Sequence, residues 1–282
     1  MKCLALDGNS LAYRAFFALP PDMATSGGQV TNAVVGFTSM LVNLLKDQQP
    51  DTLLVVFDRP EPTFRHLAIP EYKAQRESAP DVLRQQMGII RELLDALGVT
   101  VLDMAGYEGD DIIATIARRC EMAGNDIVIV TGDRDSYQLV RDPHIRVLYN
   151  KRGVSDYALY DEAGILEKTG VAPARYVDYA ALRGDPSDNL VGANGVGEKT
   201  AAKLVNEYPT LEAILDAADK QTPKIRASLE EARERVLRNA TIMVLRDDLA
   251  SFVHQQHPQS SQFVLSPYSR SSDDGRLTRN DD

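Results

Sequence analysis

Nine carboxylates stand where apolar runs stop or turns begin: Asp7, Asp58, Glu108, Asp110, Asp111, Asp133, Asp135, Asp185 and Asp188. Asp7 follows Leu4-Ala5-Leu6, Asp58 follows Leu53-Leu54-Val55-Val56-Phe57, and Asp133 follows Ile127-Val128-Ile129-Val130-Thr131-Gly132. Glu108, Asp110 and Asp111 open a helical pattern, and Asp185 and Asp188 lie in Arg183-Gly184-Asp185-Pro186-Ser187-Asp188-Asn189-Leu190. Singly, each has an ordinary use. An acid after a strand is commonly a turn residue or a helix N-cap, and acids in a first turn complement the helix dipole. Gathered together, they would repel strongly unless counter-charged. Oxygen donors without His or Cys suit hard cations, Mg²⁺ or Mn²⁺. The four histidines and two cysteines of the chain show no zinc spacing. Carboxylates holding two such ions are the usual apparatus for phosphodiester hydrolysis, one ion activating water and the other stabilising the leaving oxygen.

A second motif is Gly192-Ala193-Asn194-Gly195-Val196-Gly197-Glu198-Lys199-Thr200-Ala201-Ala202-Lys203-Leu204. It fails the phosphate-loop pattern, because Glu198 separates Gly197 from Lys199 and the residue pattern predicts no strand before it. A helix–hairpin–helix turn fits better. There Gly195 and Gly197 would let backbone amides approach a DNA phosphate, with Lys199 and Lys203 adding charge. A tight turn with solvated lysines is the plainer reading.

The elements must bring these groups together. Apolar runs of four to six residues without clean alternation predict buried strands over Lys2–Leu6, Thr52–Phe57, Val99–Leu102, Asp126–Val130 and His144–Leu148. Helical patterns lie between them, over Leu11–Ala18, Asn32–Lys46, Asp81–Leu97, Asp111–Ala123 and Ser136–Leu139. That alternation predicts an α/β fold with a mostly parallel central sheet. Strand carboxyl ends then share one edge, where ligands bind, and the separate acid groups converge on it. Beyond about residue 160 the pattern turns helical, and a polar tail follows from Gln255. The stretch from Arg59 to Pro80 is too long for a simple turn and carries four prolines with Arg65, His66, Lys73 and Arg76. Segments of that length often cover a site.

Composition sets the outer bounds. With 44% hydrophobic and 26% charged residues, the chain can bury a sizeable core. No apolar run approaches the ~20 residues of a membrane span. An acid comes too early at the start for a secretory signal. A reduced, cytoplasmic protein is expected. The net charge of −10 argues against nucleic acid as a partner. Setting the nine acids aside as an ion site leaves the remainder near neutral, so DNA is not excluded.

These segments occur in an order that resembles one family. Leu6-Asp7-Gly8-Asn9-Ser10-Leu11-Ala12-Tyr13-Arg14, Phe57-Asp58, Thr63-Phe64-Arg65, Tyr72-Lys73-Ala74, Tyr107-Glu108-Gly109-Asp110-Asp111 and Thr131-Gly132-Asp133-Arg134-Asp135 lead to the Asp185 turn and the glycine hairpin. The whole closely resembles the 5′-nucleases, which include flap endonucleases and the nuclease domain of bacterial DNA polymerase I. The resemblance spans roughly residues 2–245.

It implies a PIN-like α/β core over 1–160, a helical arch over 59–80, a helical DNA-binding subdomain over 161–254 and a flexible tail over 255–282. Asp7, Asp58, Glu108 and Asp110 would form one metal group, with Asp111 an outer or shared ligand. Asp133, Asp135, Asp185 and Asp188 would form the second. Tyr13 would stack on a base, with Arg14 beside it on the DNA. Arg65, Lys73 and Arg76 would face phosphates under the arch, through which a single-stranded 5′ end threads, and Lys73 and Arg76 would also serve catalysis. Potassium would sit on backbone carbonyls at the hairpin, which departs from many relatives at Ala193-Asn194 and could be loosened there. The implied activity is hydrolysis of 5′ flaps and 5′ ends of DNA by a monomer, using two or more Mg²⁺ or Mn²⁺. A non-catalytic grip on branched DNA and an RNA-directed nuclease are the alternatives.

Overall fold

The computed structural model describes residues 1–249 and, beyond them, the backbone of one short antiparallel pair, Tyr268–Arg270 with Leu277–Arg279. The remainder of the tail expected over 255–282 lies outside the described residues. The strands are β1 (Lys2–Asp7), β2 (Thr52–Val56), β3 (Thr100–Leu102), β4 (Asp126–Thr131), β5 (Ile145–Arg152), β6 (Asp156–Tyr160), β7 (Gly184–Asp185) and β8 (Leu190–Val191). The helices are α1 (Gly8–Ala18), α2 (Asn32–Gln48), α3 (Phe64–Ala68), α4 (Asp81–Ala96), α5 (Gly109–Met122), α6 (Glu162–Thr169), α7 (Tyr176–Arg183), α8 (Glu198–Glu207), α9 (Leu211–Asp216) and α10 (Pro223–Met243). The helix expected over Ser136–Leu139 is a single 3₁₀ turn, Asp135–Leu139.

Six strands form the main sheet in the order β3-β2-β1-β4-β5-β6, parallel except for β6. The sequence pattern does not disclose β6. Its residues are all partly or fully exposed, and a two-sided burial signal is absent. The centre behaves differently. All four inner residues of β1 are buried, because helices cover both faces. Leu4 and Leu6 point to one side, with Val55, Phe57 and residues of α1, α2 and α4. Cys3 and Ala5 point to the other, with Leu54, Val56 and residues of α5. Each fully buried aliphatic there contributes about 1.5–3 kcal/mol. That second cluster continues without a break into α6 through α10, so the helical half shares its core with the sheet.

The chain steps from β1 to β2 and β3, then returns to place β4 on the other side of β1. This reversal is where an open α/β sheet forms a crevice at its strand carboxyl ends. Asp7 ends β1, and Asp133 stands two residues beyond β4.

A buried ion pair locks the segment after β2 into this frame. Arg65 is 2% exposed and grips the wholly buried Asp111 with two parallel bonds of 2.6 and 2.8 Å. Arg65 also donates to the carbonyls of Ile242 and Val244 beyond the sheet, at 2.8 and 3.2 Å. The Glu108 and Arg246 amides donate to the same Asp111 carboxylate. The expectations for this pair therefore require correction. Asp111 accepts four hydrogen bonds within the protein, which leaves no free lone pair for sharing an ion directly and is compatible only with an outer place. Arg65 joins α3, α5 and the end of α10 and cannot reach a DNA phosphate.

Over 59–80 the expected arch takes the form of the five-residue α3 followed by a strap of turns. Ile69 and Tyr72 pin it to the core. Among the described residues, no helix is long and apolar enough to cross a membrane.

Asp111→Ala leaves the Arg65 charge buried without its partner, and should cost about 3–5 kcal/mol of stability. Thermal unfolding in EDTA should show the loss. A variant as stable as the parent but inactive would return Asp111 to the ligand set.

Candidate active site

A cleft of about 970 Å³ opens at the carboxyl edge of the sheet. Its walls carry Asp7, Asp58, Glu108, Asp110, Asp133 and Asp185 from five separate stretches of chain. All but Asp110 are aimed by a hydrogen bond. Asp7 caps α1, accepting from the Ser10 amide at 2.9 Å, and accepts from the Thr131 hydroxyl at 2.7 Å. Asp58 accepts from the Gly109 amide at the start of α5 at 2.7 Å. Asp133 accepts from the Asp135 amide at 2.9 Å. Asp185 accepts from the amide and hydroxyl of Ser187. Asp110 differs: its Oδ1 is buried with no hydrogen-bond partner.

Asp135 and Asp188 do not line this cleft. They border a void of about 10 Å³ that shares Lys73, Glu108, Asp110 and Asp133 with the cleft, a space for about one water. The second group of acids is thus split between the cleft and this void. Among the described residues, no three His, Cys, Asp or Glu side chains already stand as a ready ion cage.

Crowding marks the electrostatics. Burial raises the Asp7 carboxyl to about 7; the Ser10 amide opposes this and the Asp58 charge adds to it. Asp110 is raised well above the usual carboxylate value by burial and the charges of Asp133, Asp7 and Asp58. Asp135 is raised well above it by burial and by Asp133, Asp188 and Asp185. Glu108 runs the other way. Burial opposes its ionisation, but Lys73 and Arg65 together hold it below the usual value.

The strap supplies the counter-charge. Lys73 Nζ lies 3.0 Å from both Glu108 oxygens, and the Tyr72 hydroxyl donates to Glu108 at 3.0 Å. Arg76 reaches Asp188 at 2.6 Å and the Ser187 carbonyl at 3.0 Å. Lys73 adopts a left-handed φ of 54°, and its amide donates to the Asp188 carbonyl. Gln75 donates to the Pro186 carbonyl, and Asn189 donates to that of Glu71. The expectation that Lys73 and Arg76 face phosphates is therefore modified: in this state both neutralise acids of the site.

Tyr13 lines the cleft, half-buried, as a stacking ring would need. Arg14 does not line it; its guanidinium donates to the Asn150 carbonyl on β5 at 3.3 Å. That contact ties α1 to the sheet. Arg134, Arg183, Tyr149 and Glu198 line the cleft although the residue pattern singled out none of them. The only signal was adjacency, since Arg134 lies between Asp133 and Asp135 and Arg183 two residues before Asp185.

The glycine hairpin borders this wall. Gly184, at φ 79°, passes so close to Gly192 that a Cβ would meet the Gly192 nitrogen at 2.4 Å. At Ala193-Asn194 the hairpin is tied by hydrogen bonds to neighbouring elements. The Ala193 amide donates to the Leu182 carbonyl, the Ser228 hydroxyl to the Asn194 carbonyl at 2.6 Å, and Arg235 to the Gly192 carbonyl. Gly195 takes φ 77°, Gly197 caps α8, and Lys199 and Lys203 stand exposed one turn apart. Lys224 lies against Gly195 and adds a cation the motif did not show.

Comparison with known proteins agrees with this architecture. Residues 2–170 match the model described as 5′-3′ exonuclease, N-terminal resolvase-like domain, and residues 171–263 match the 5′-3′ exonuclease, C-terminal SAM fold. DNA polymerase I of Mycobacterium bovis is 48% identical over 247 residues, covering 87% of this chain and 27% of that protein. DNA polymerase I of Bacillus subtilis is 40% identical over 248 residues, covering 88% and 28%. The chain thus spans about a quarter of the length of these relatives. Among solved structures, bacteriophage T5 5′-exonuclease with bound zinc superposes with a TM-score of 0.71 at 21% identity, covering 87% of this chain and 90% of that one. A complex of T5 flap endonuclease with DNA and metal ions gives 0.70 at 21%, with the same coverage. These two show the fold, and the matched family models with the polymerase relatives carry the kinship. The chain belongs to the 5′-3′ exonuclease family of hydrolytic nucleases.

Proposed function

We propose that this chain is a structure-specific, divalent-metal-dependent 5′-nuclease acting on 5′ flaps and 5′ ends of duplex DNA in replication and repair. One observation carries the reading: acids from separate elements converge on the switch-point crevice, and Asp110 keeps a buried oxygen unpaired. The donor set is all oxygen, and its raised carboxyls await a positive charge, so the residues fit Mg²⁺ or Mn²⁺. Asp7, Asp58, Glu108 and Asp110 would hold one ion, and Asp133, Asp185 and the deeper Asp135 and Asp188 a second. Such ions, when bound, activate water and stabilise the leaving oxygen. DNA and metal ions bound to T5 flap endonuclease support the same substrate class here.

The chain's own groups position the strand. Tyr13 offers its ring to a base at the cleft wall. Lys73 and Arg76, once Glu108 and Asp188 are otherwise neutralised, can turn to the scissile phosphate and offset the repulsion of the acids. Lys199 and Lys203 hold the duplex through its phosphates, which carry no base information. Potassium at the hairpin would draw on backbone carbonyls, yet those of Gly192 and Asn194 already accept from Arg235 and Ser228. We assign it no step.

Asp133→Ala should lower cleavage of a 5′-labelled flap by more than about a hundredfold, since even groups that merely orient ligands cost 10–100-fold. DNA binding should survive, and EDTA should stop the parent. Near-normal turnover of Asp133→Ala in Mg²⁺ would sink the metal reading.

The raised carboxyls also fix a pH dependence without metal. Burial lifts Asp7 to about 7 in the fold, above its unfolded value, so its contribution to stability is present below about pH 4 and is lost by about pH 7. The raised Asp110 and Asp135 act in the same direction. Added Mg²⁺ should therefore raise the melting temperature more at pH 8 than at pH 5, where protons compete. Equal shifts at both pH values would contradict the assignment.

Lys199→Ala should weaken duplex binding about equally across sequences and reduce the slope of log affinity against log salt by about 0.9. An unchanged slope would mean that Lys199 is only solvated.

A further inference from the structure

Two arginines of the cleft wall have no role in the mechanism above. Arg134 stands beyond β4, between Asp133 and Asp135, and Arg183 ends α7 two residues before Asp185. Their guanidiniums come to one oxygen of Glu198, the first residue of α8, at 3.5 and 3.6 Å. Like charges from separate elements share a point only where an anion holds them together. The anion here is a poor one for the purpose. Glu198 is 63% exposed, and both contacts are longer than the 2.7–2.9 Å of a good charge-assisted bond. Such a surface pair is weak.

Arg183 is already oriented. Its side chain is 16% exposed, its Nε donates to the Gly184 carbonyl at 3.1 Å, and its guanidinium lies 5.2 Å from the Tyr179 ring centre. Lys73 and Arg76, by contrast, are held at short range by Glu108 and Asp188. Arg183 also lies 3.9 Å from Asp185, but neither Arg134 nor Arg183 has an ionic contact shorter than 3.5 Å.

We propose that Arg134 and Arg183 form a two-guanidinium site for a DNA backbone phosphate, which Glu198 occupies as a placeholder in the free protein. This rests on the nuclease reading and extends it. Both arginines neighbour carboxylates of the ion site, and Glu198 adjoins Lys199 at the hairpin, so the phosphate bound lies between the reacting position and the duplex held by α8. Guanidinium forks match phosphate oxygens better than they match one carboxylate oxygen. The fork counters the negative cleft where the strand passes from hairpin to metals.

The test is binding of a nicked 5′-flap duplex, read by fluorescence anisotropy in EDTA from 50 to 200 mM KCl. Arg134→Ala, a half-exposed position that should fold normally, is expected to lower the salt slope by about 0.9, and Arg183→Ala by a similar amount. Glu198→Gln removes the placeholder and should tighten binding by up to about fivefold. Arg183→Lys keeps the charge without the fork and should weaken binding less than Arg183→Ala. If the slope is unchanged in Arg134→Ala while Lys199→Ala lowers its own, the phosphate site is wrong and the nuclease reading stands. Glu198→Gln binding no tighter than the parent also overturns it, leaving a clasp between α7, α8 and β4. A parent that neither binds nor cuts the flap overturns the nuclease reading and this site with it.

Discussion

Carboxylates brought to one sheet edge repel each other, and the structure around that edge answers this repulsion in two ways. Some acids are steadied by dipoles: the Ser10 amide for Asp7, the Gly109 amide for Asp58, the Asp135 amide for Asp133. Others are matched by whole cations: Lys73 for Glu108, Arg76 for Asp188, Arg65 for Asp111. The two answers leave different chemistry. A carboxylate held by one amide keeps lone pairs for a metal, whereas Asp111, filled by a bidentate arginine and two amides, has none to spare. Asp110 has neither answer for its Oδ1, so its carboxyl depends most on an arriving ion.

The sheet topology explains why the edge is crowded at all. Placing β4 beside β1 brings Asp7 and Asp133 to adjacent strand ends, and α5 presents Glu108 and Asp110 from its first turn. The helical half then delivers Asp185 and Asp188 on a turn clamped between Gly184 and Gly192. A continuous apolar cluster under both halves makes this delivery rigid rather than a docking of separate bodies. Arg65 completes the joint, for it touches the segment after β2, the start of α5 and the end of α10 together.

The same repulsion bears on substrate. For the proposed DNA substrate the lining of the cleft is acidic, and the cations that would receive it stand on the elements around it. Lys73 and Arg76 stand on the strap, Arg134 and Arg183 on the wall toward α8, and Lys199 and Lys203 on α8 itself. A net charge of −10 therefore describes the chain poorly. What matters for a polyanion is the local balance at the cleft, where Lys73, Arg76, Arg134 and Arg183 stand among the acids.

The sequence by itself determined the parallel sheet, the central strands and the edge on which the acids meet. These follow from burial on both faces and from strand–helix alternation, which leave local traces in residue order. It also marked Asp7, Asp58 and Asp133, because acids that end apolar runs inherit the position of the strand end, and it marked Asp110 and Asp185 through a helix start and a turn. It did not reveal β6, whose exposure erases the pattern, nor the closed strap, whose bonds join residues more than a hundred positions apart. Only tertiary structure decided that Asp111 and Arg65 belong to each other, that Arg14 serves β5, and that Arg134 and Arg183 meet at Glu198. A charged side chain carries the same letter whether it is buried in a pair or free in a cleft. The identity of its partner is set by packing across the chain, and no local spacing records it.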